Sequence, residues 1–345
     1  MANASVDLVL ATSAMIVIVV AAVRGVSLVA EAYTGVDDPN IERFHQIGRL
    51  MILSVGEPLD WGISGTPIIF GLAGERIFEL EIDKVTRMNP SNAFHVDYYQ
   101  LWESLGINDI SFQISVVPLI DVNLSIISTQ YLGAETAYTV ETSSTKQGSP
   151  LEAELKLYIV MGDYISHIDG VTNSSGLSTL AFNLTNSMSG EALLICFART
   201  GDRILGFDVL TFTHNAPTAP SSGFASMSPL NYTLNVSVEE GVSVVRGFVF
   251  SFRYEFNLTG SGSEYEIPRL LDLSPLILAL TGLNGSNYCA AWVAYPQIPL
   301  DIGSPMLSGG SISDTVAASY MVDIKGCLYR LDIRFRSSAH GSHEQ

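Results

Sequence analysis

The sequence of residues 151–159 is LEAELKLYI, in which apolar and polar side chains alternate with a period of two. Because successive side chains of a β-strand point to opposite faces of a sheet, this stretch predicts a half-buried strand. Alternation recurs in residues 328–336, and in residues 248–256, where five aromatic side chains fall on one side. The aromatic row indicates a core stripe, with a carbohydrate-binding platform as the alternative. The fold class predicted is mainly β, with two or three β-sandwich (Ig-like) domains that follow N-terminal helices.

Two helices are predicted ahead of these strands. The sequence of residues 37–40, DDPN, is typical of a helix start, and apolar residues then recur at helical spacing. This pattern predicts a helix that ends near Leu53. A second, shorter helix is predicted from Asp97 to Leu105, because Gly106 favours the conformation that terminates helices.

The N-terminal segment is the most apolar part of the chain. Residues 8–23 read LVLATSAMIVIVVAAV, and the apolar character resumes after Arg24 and continues to Ala30. A bilayer-spanning helix needs about 20 apolar residues, so residues 8–30 predict one transmembrane anchor in a lipid bilayer. A cleaved signal peptide is the alternative, with a small-residue cleavage site at residues 30–32. The anchor is favoured because no Lys or Arg precedes the apolar run.

Asn-x-Ser/Thr sequons indicate the side of the membrane. Eight are present, where the composition alone gives roughly two or three. One is Asn3, and the others, predicted as glycosylation sites, are Asn123, Asn173, Asn183, Asn231, Asn235, Asn257 and Asn284. The alternation around Asn231 and Asn235 places both on the polar face of one predicted strand. Glycosylation predicts an extracellular ectodomain and a single-pass cell-membrane protein.

Composition divides the chain into six predicted segments. The proline-rich stretch at residues 214–223 is typical of a linker, and residues 142–150 interrupt the middle of the chain. The segments are a transmembrane anchor (1–32), a juxtamembrane helix (33–55), a membrane-proximal small β-domain (56–134), an Ig-like β-sandwich (135–214), a C-terminal β-sandwich (223–336) and a disordered tail (337–345).

Charge and motifs exclude several function classes. The chain has 35 acidic and 17 basic residues, a net charge of −18, which argues against nucleic acid as a partner. No G-x-S-x-G, H-E-x-x-H, phosphate-binding loop or Ca²⁺-loop pattern occurs. The sequence therefore predicts no enzyme, no cofactor, and no catalytic or metal residues. An enzyme with two carboxylates brought together by the fold is the remaining alternative.

The three cysteines allow at most one internal disulfide bond. Cys289 and Cys327 lie in the same C-terminal stretch and are candidates to pair. Cys196 lies within an apolar run, which predicts a buried, unreactive thiol.

Three patches of sequence resemble known families. Residues 53–62 (LSVGEPLDWG) with 70–73 (FGLA), and residues 80–88 (LEIDKVTRM) with 98–107, are similar to the membrane-proximal region of archaeal single-span, pilin-like surface proteins. Residues 148–153 and 169–180 are similar to carboxypeptidase-regulatory-like and other Ig-like surface modules. The resemblance implies a component of the cell envelope or of a pilus-like assembly.

These observations predict a membrane-anchored, extracytoplasmic structural or adhesive cell-envelope protein, with a pilus-like component as one form. Its partners would be the bilayer and other envelope proteins or copies of itself. The alternative is a surface ligand- or glycan-binding accessory subunit of a transport or secretion system. Trp61 is predicted either to seal the base of the first domain or to lie at the membrane interface.

Overall fold

The computed structural model describes residues 39–107, 109–216, 223–269, 274–304 and 315–337. The chain forms two compact units, residues 1–47 and 48–345. The described part of the first unit is the beginning of one helix. The described part of the chain is mainly β, with 57% strand and 9% helix. The helices are α1 (Pro39–Leu53), α2 (Ile82–Arg87) and α3 (Tyr98–Ser104).

The strands of the described residues form a nearly continuous series from residue 110 to residue 337. They are β1 (Ile110–Pro118), β2 (Asp121–Tyr131), β3 (Glu135–Lys146), β4 (Ser149–Pro150), β5 (Glu154–Met161), β6 (Tyr164–Val171), β7 (Leu177–Thr185), β8 (Gly190–Thr200), β9 (Ile204–His214), β10 (Ala225–Leu230), β11 (Thr233–Val238), β12 (Ser243–Phe250), β13 (Glu255–Asn257), β14 (Thr259–Ser261), β15 (Glu264–Glu266), β16 (Leu276–Asn284), β17 (Asn287–Tyr295), β18 (Leu300–Gly303), β19 (Thr315–Ile324) and β20 (Cys327–Ser337).

These strands are arranged in four sheets. Sheet I has the order β18-β1-β20-β19. Sheet II has the order β2-β3-β4, and β7 is also paired to β3. Sheet III has the order β13-β12-β16-β17-β8-β5-β6, with β9 also paired to β8. Sheet IV has the order β10-β11-β15-β14. Within the described residues, all the pairings between these strands are antiparallel except a single parallel bridge between Tyr288 of β17 and Gly190 of β8. A further isolated parallel bridge joins Glu79 to Asp323.

The main core lies between sheet II and the β5–β8–β9 part of sheet III. Alternate residues of β5 and β8 enter it together with residues of β2, β3 and β7; it contains Ile120, Leu124, Tyr138, Val140, Ala153, Leu155, Leu157, Ile159, Met161, Leu184, Ala192, Leu194, Cys196 and Ala198. The opposite face of β5 is also covered, since the Tyr158 ring lies 4.8 Å from that of Phe250 in β12. The strand predicted as half-buried is therefore buried on both faces from Leu157 onward.

The aromatic row at residues 248–256 forms two strands, because the chain reverses at residues 251–254. The Ser251 N–H donates to the Tyr254 carbonyl at 2.8 Å, and β12 and β13 then pair antiparallel. Phe248 and Phe250 are buried, whereas Tyr254 and Phe256 are exposed. A two-residue alternation shows which side chains share a face only as long as the strand stays straight.

The sheets cross the predicted segment boundaries at residues 134 and 214. In sheet I, β1 pairs along its whole length with β20, more than 200 residues later in the chain. Sheet III combines β5, β6, β8 and β9 with β12, β13, β16 and β17. The strands predicted to form separate domains thus share sheets. No local pattern in the sequence indicates these long-range pairings.

Both predicted helices are present, whereas α2 has no counterpart among the helices predicted from the sequence. The helix predicted to end near Leu53 is α1, and the one predicted from Asp97 is α3, with Asp97 as its N-cap and Gly106 at a φ of +66°. No helix of the described residues is long and apolar enough to cross a membrane. The predicted anchor at residues 8–30 and the predicted tail from residue 338 onward lie outside those residues.

Candidate functional site

Helix α2 is a short helix whose charged side chains are buried. Glu81 is its N-cap, and the carboxylate of Glu81 accepts hydrogen bonds from the N–H groups of Asp83 (3.2 Å) and Lys84 (2.8 Å). Asp83, Lys84 and Arg87 are each less than a tenth exposed. A buried charge is destabilising unless it is paired or hydrogen-bonded, so the partners of these three groups define the site.

Asp83 connects α2 to two distant turns and strands. Its Oδ1 atom accepts a hydrogen bond from the Tyr295 hydroxyl at 2.7 Å and another from the Asn231 N–H at 2.8 Å. Burial, reinforced by the nearby charge of Glu81, raises the pKa of Asp83 to about 6. Burial, together with the negative charge of Asp83, also raises the pKa of Tyr295, so its hydroxyl remains a donor.

Lys84 and Arg87 bind backbone carbonyls of the loops on both sides of α2. Lys84 Nζ donates to the carbonyls of Val55 (2.7 Å) and Ala73 (3.2 Å) and lies over the Trp61 ring. Arg87 donates to the carbonyls of Trp61, Gly65 (2.8 Å) and Phe94 (2.8 Å). Burial lowers the pKa of both cations. Since each carbonyl belongs to a loop without regular structure, these two side chains supply hydrogen bonds that strands supply elsewhere.

Asn92 extends the same network toward sheet IV. Its amide donates to the Pro229 carbonyl at 3.0 Å and to Gln297 Oε1 at 2.7 Å. Together with Asp83, it ties the loops around α2 to the end of β10 and to the segment after β17. The network is therefore a connector between segments that are far apart in sequence. None of its side chains lines the cavities of about 760 Å³ and 160 Å³ within the described residues.

Trp61 is fully buried, and its indole N–H donates to the Gly71 carbonyl at 3.1 Å. Its ring packs 5.9 Å from the Phe70 ring. Of the two predicted settings, the tryptophan therefore occupies the interior one, where it holds the loop at residues 56–71 closed. The sequence quoted for the resemblance, residues 53–62 and 70–73, is this loop.

The outer side of the same loops carries an apolar surface, called here the apolar loop surface. Of the 22 exposed large hydrophobic side chains in the described part of the chain, nine fall within residues 50–78. They are Leu50, Leu53, Val55, Leu59, Ile63, Ile68, Ile69, Ile77 and Phe78, with Leu59, Ile68 and Ile77 each more than 70% exposed. Contiguous exposed apolar patches on soluble proteins commonly mark contact sites, and these nine side chains are the candidates for such a patch within the described residues.

The seven predicted glycosylation sites lie at the surface. Asn123, Asn173, Asn183, Asn231, Asn257 and Asn284 are exposed, and Asn235 is half-buried. Asn231 differs from its prediction, because it lies in the turn between β10 and β11 with a φ of +48° and not on a strand face. Exposure makes each of the six accessible to a modifying enzyme.

The three cysteines are buried free thiols. Cys196 lies in the main core, as its apolar run predicts, and burial raises its pKa to about 12. Cys289 lies on β17 of sheet III and Cys327 on β20 of sheet I. The disulfide bond expected between Cys289 and Cys327 is absent, since both are free thiols.

No role is predicted from the sequence for the charged side chains of residues 80–88. The available signal was the spacing of Asp83, Lys84 and Arg87 between apolar residues, in a chain with only 15% charged residues. On a helix this spacing puts the three charges within an arc of roughly 100°, and a helix at the surface would show the same polar face. Only the tertiary structure shows that all three are buried.

Comparisons with known proteins assign no family. No protein-family model matches the chain, and no curated protein matches it. Among solved structures, human GIVD cytosolic phospholipase A2 is similar with 10% identity, over 66% of this chain and 33% of that chain, at a TM-score of 0.15. The chain thus spans about a third of that protein's length. A likeness at this TM-score supports no statement on fold or function.

Proposed function

We propose that this chain is a membrane-anchored, extracytoplasmic structural or adhesive protein of the cell envelope. In this proposal residues 8–30 form the anchor, the β-sheets form the ectodomain, and the apolar loop surface rests on the bilayer. The archaeal pilin-like resemblance and the sandwich-like packing of sheet II on sheet III are consistent with such a role.

The observation that carries the proposal is the position of the apolar loop surface along the chain. Its nine side chains fall within the first 40 described residues, soon after the predicted anchor. The loops that follow an anchor are the part of an ectodomain closest to the bilayer along the chain. Apolar side chains there gain about 25 cal/mol for each Å² that they remove from water.

The anchor is tested by membrane fractionation of the full-length protein. Ile16→Lys combined with Val19→Lys places two charges in the apolar run, and each charge at the centre of a span opposes insertion by about 2.5–3.5 kcal/mol. We expect the wild type to resist extraction by alkaline carbonate and the double variant to be released. Ser128→Lys with Gln130→Lys, two exposed positions on β2, is the matched control and should behave as the wild type. Release of the wild type itself would refute the anchor.

The contact of the loops with lipid is tested by spin labels in lipid nanodiscs. Leu59→Cys and Ile68→Cys provide attachment sites on the apolar loop surface, and the native thiols are buried. We expect labels at both positions to be more accessible to dissolved oxygen than to a water-soluble nickel complex. A label at Ser128→Cys should show the reverse. Equal, water-like accessibility at all three positions would contradict the proposed orientation.

A further inference from the structure

A groove of about 760 Å³ lies between sheet IV and the β12 end of sheet III, within the described part of the chain. One wall is formed by β11 and the β14–β15 hairpin, and the other by β12 and the residues after β13. Its volume lies within the range of sites that bind small molecules, which is roughly 300–1,000 Å³. The groove is separate from the α2 network and from the apolar loop surface.

Seven of the fourteen residues that line the groove are apolar. Its apolar lining residues are Val236, Val238, Val242, Val244, Val245, Leu258 and Tyr265. Tyr265 and Leu258 are buried, so they form the floor, while Val245 is 40% exposed at the mouth. The apolar residues of the lining are aliphatic apart from Tyr265, whose ring is buried. These residues therefore suit an alkyl chain better than a sugar, because sugars favour an exposed aromatic face.

A β-bulge places the one charged side chain of the groove. Pairing between β12 and β16 shifts register between Val244 and Arg246, so Val245 is an extra residue on β12. The bulge turns both Val245 and Arg246 toward the groove. The Thr281 hydroxyl lies 3.2 Å from the Arg246 carbonyl, which fixes the backbone there. Bulges commonly redirect a side chain in this manner next to binding sites.

Arg246 is a cation without an anionic partner. No Asp or Glu lines the groove, and none of the ion pairs of the described residues includes Arg246. This is unusual in a chain with 35 acidic and 17 basic residues. An unpaired guanidinium beside an apolar groove is complementary to a carboxylate on an apolar chain, because arginine binds carboxylates with two parallel hydrogen bonds.

We propose that the groove binds a linear amphiphile with an anionic head, of the class of fatty-acid carboxylates. The alkyl chain lies against the valines of β11 and β12, and the carboxylate accepts hydrogen bonds from the Arg246 guanidinium. This site is independent of the anchor and of the apolar loop surface, so either proposal stands if the other fails.

The test is a titration of the full-length protein in lipid nanodiscs, with ¹³C-labelled valine methyl groups as the readout. The protein is produced in a bacterium without Asn-linked glycosylation, since Asn257 lies at the groove. Octanoate, octanol and octylammonium share one chain length and differ in head-group charge. We expect octanoate to shift the methyl signals of the groove valines with a Kd at least tenfold lower than that of octanol, and octylammonium to bind weakest.

Variants identify the groups that bind. Arg246→Gln should raise the Kd for octanoate about tenfold and remove its advantage over octanol, whereas Arg246→Lys should retain part of it. Val245→Trp, at an exposed position, should abolish the shifts by filling the groove. Arg253→Gln changes an exposed arginine outside the groove and should leave the Kd within twofold of the wild type. Equal binding of octanol and octanoate, an unchanged Kd in Arg246→Gln, or normal binding by Val245→Trp would each overturn the proposal.

Discussion

Asp83 makes the stability of this protein depend on pH, and the sign follows from its environment. Its folded-state pKa of about 6 lies above the usual value of 3.8. Between about pH 4 and pH 6 the folded protein therefore retains a proton that the unfolded chain has released. Stability falls as the pH rises through this window, by on the order of 2–3 kcal/mol from this group.

The prediction for Asp83 concerns the substitution Asp83→Asn. Asparagine keeps an oxygen that accepts from the Tyr295 hydroxyl and the Asn231 N–H, and it does not ionise. We expect the variant to be more stable than the wild type at pH 7.5 and nearly equal to it at pH 3.5, as measured by urea unfolding of the full-length protein in mild detergent. A variant less stable than the wild type at pH 7.5 would show that the ionised carboxylate stabilises the fold.

The prediction for Arg87 follows from its three carbonyl partners. Arg87→Lys keeps the charge, but a single ammonium cannot reach the carbonyls of Trp61, Gly65 and Phe94 together. We expect a loss of about 1–3 kcal/mol in the free energy of unfolding. Arg76→Lys is the control, because the Arg76 side chain is 76% exposed, and it should change stability by less than about 0.5 kcal/mol. Similar losses in both variants would contradict the specific role of Arg87.

At the scale of elements, a buried hydrogen-bond chain joins three strands of the main core. The Tyr138 hydroxyl of β3 lies 2.8 Å from His214 Nδ1 at the end of β9, and His214 Nε2 lies 3.0 Å from the Thr185 carbonyl at the end of β7. A tyrosine hydroxyl donates and a carbonyl accepts, so His214 carries its proton on Nε2. These hydrogen bonds hold sheet II against β9 at residue 214, where a linker was predicted to begin.

Removing this contact tests how much it stabilises the two sheets. Tyr138→Phe leaves the buried Nδ1 atom of His214 without a donor, so we expect a loss of about 1–3 kcal/mol in the free energy of unfolding. Tyr131→Phe, at the exposed end of β2, is the matched control and should have no measurable effect. Chemical denaturation of the full-length protein measures both. Wild-type stability of Tyr138→Phe would mean that the histidine finds another partner.

At the scale of the whole molecule, sheets I and III join strands from distant parts of the chain. β20 lies between β1 and β19 in sheet I, and sheet III joins strands from both sides of residue 214. We expect a single calorimetric unfolding transition, and we expect deletion of residues 315–345 to abolish it because β1 loses its central partner. Two or three resolved transitions, or an unchanged transition after the deletion, would indicate the separate domains that the sequence predicts.

Properties that depend on residues close together along the chain could be predicted from the amino-acid sequence. Alternation specified the mainly β class and the buried side of β20, in which Leu331, Ile333 and Phe335 are all buried. Capping residues specified α3, and apolar residues at helical spacing specified α1. These properties follow from local geometry, since a period of two or 3.6 residues is visible within a short window.

The pairing of the strands and the contacts of the buried charged side chains are apparent only from the tertiary structure. Backbone hydrogen bonds are the same for every residue, so alternation identifies a buried face without identifying the strand beside it. The partnership of β1 with β20, the contact of Asp83 with Tyr295 and the groove at Arg246 each join residues that are distant in sequence or placed by a bulge. Such contacts arise from the packing of whole sheets, which no local pattern encodes.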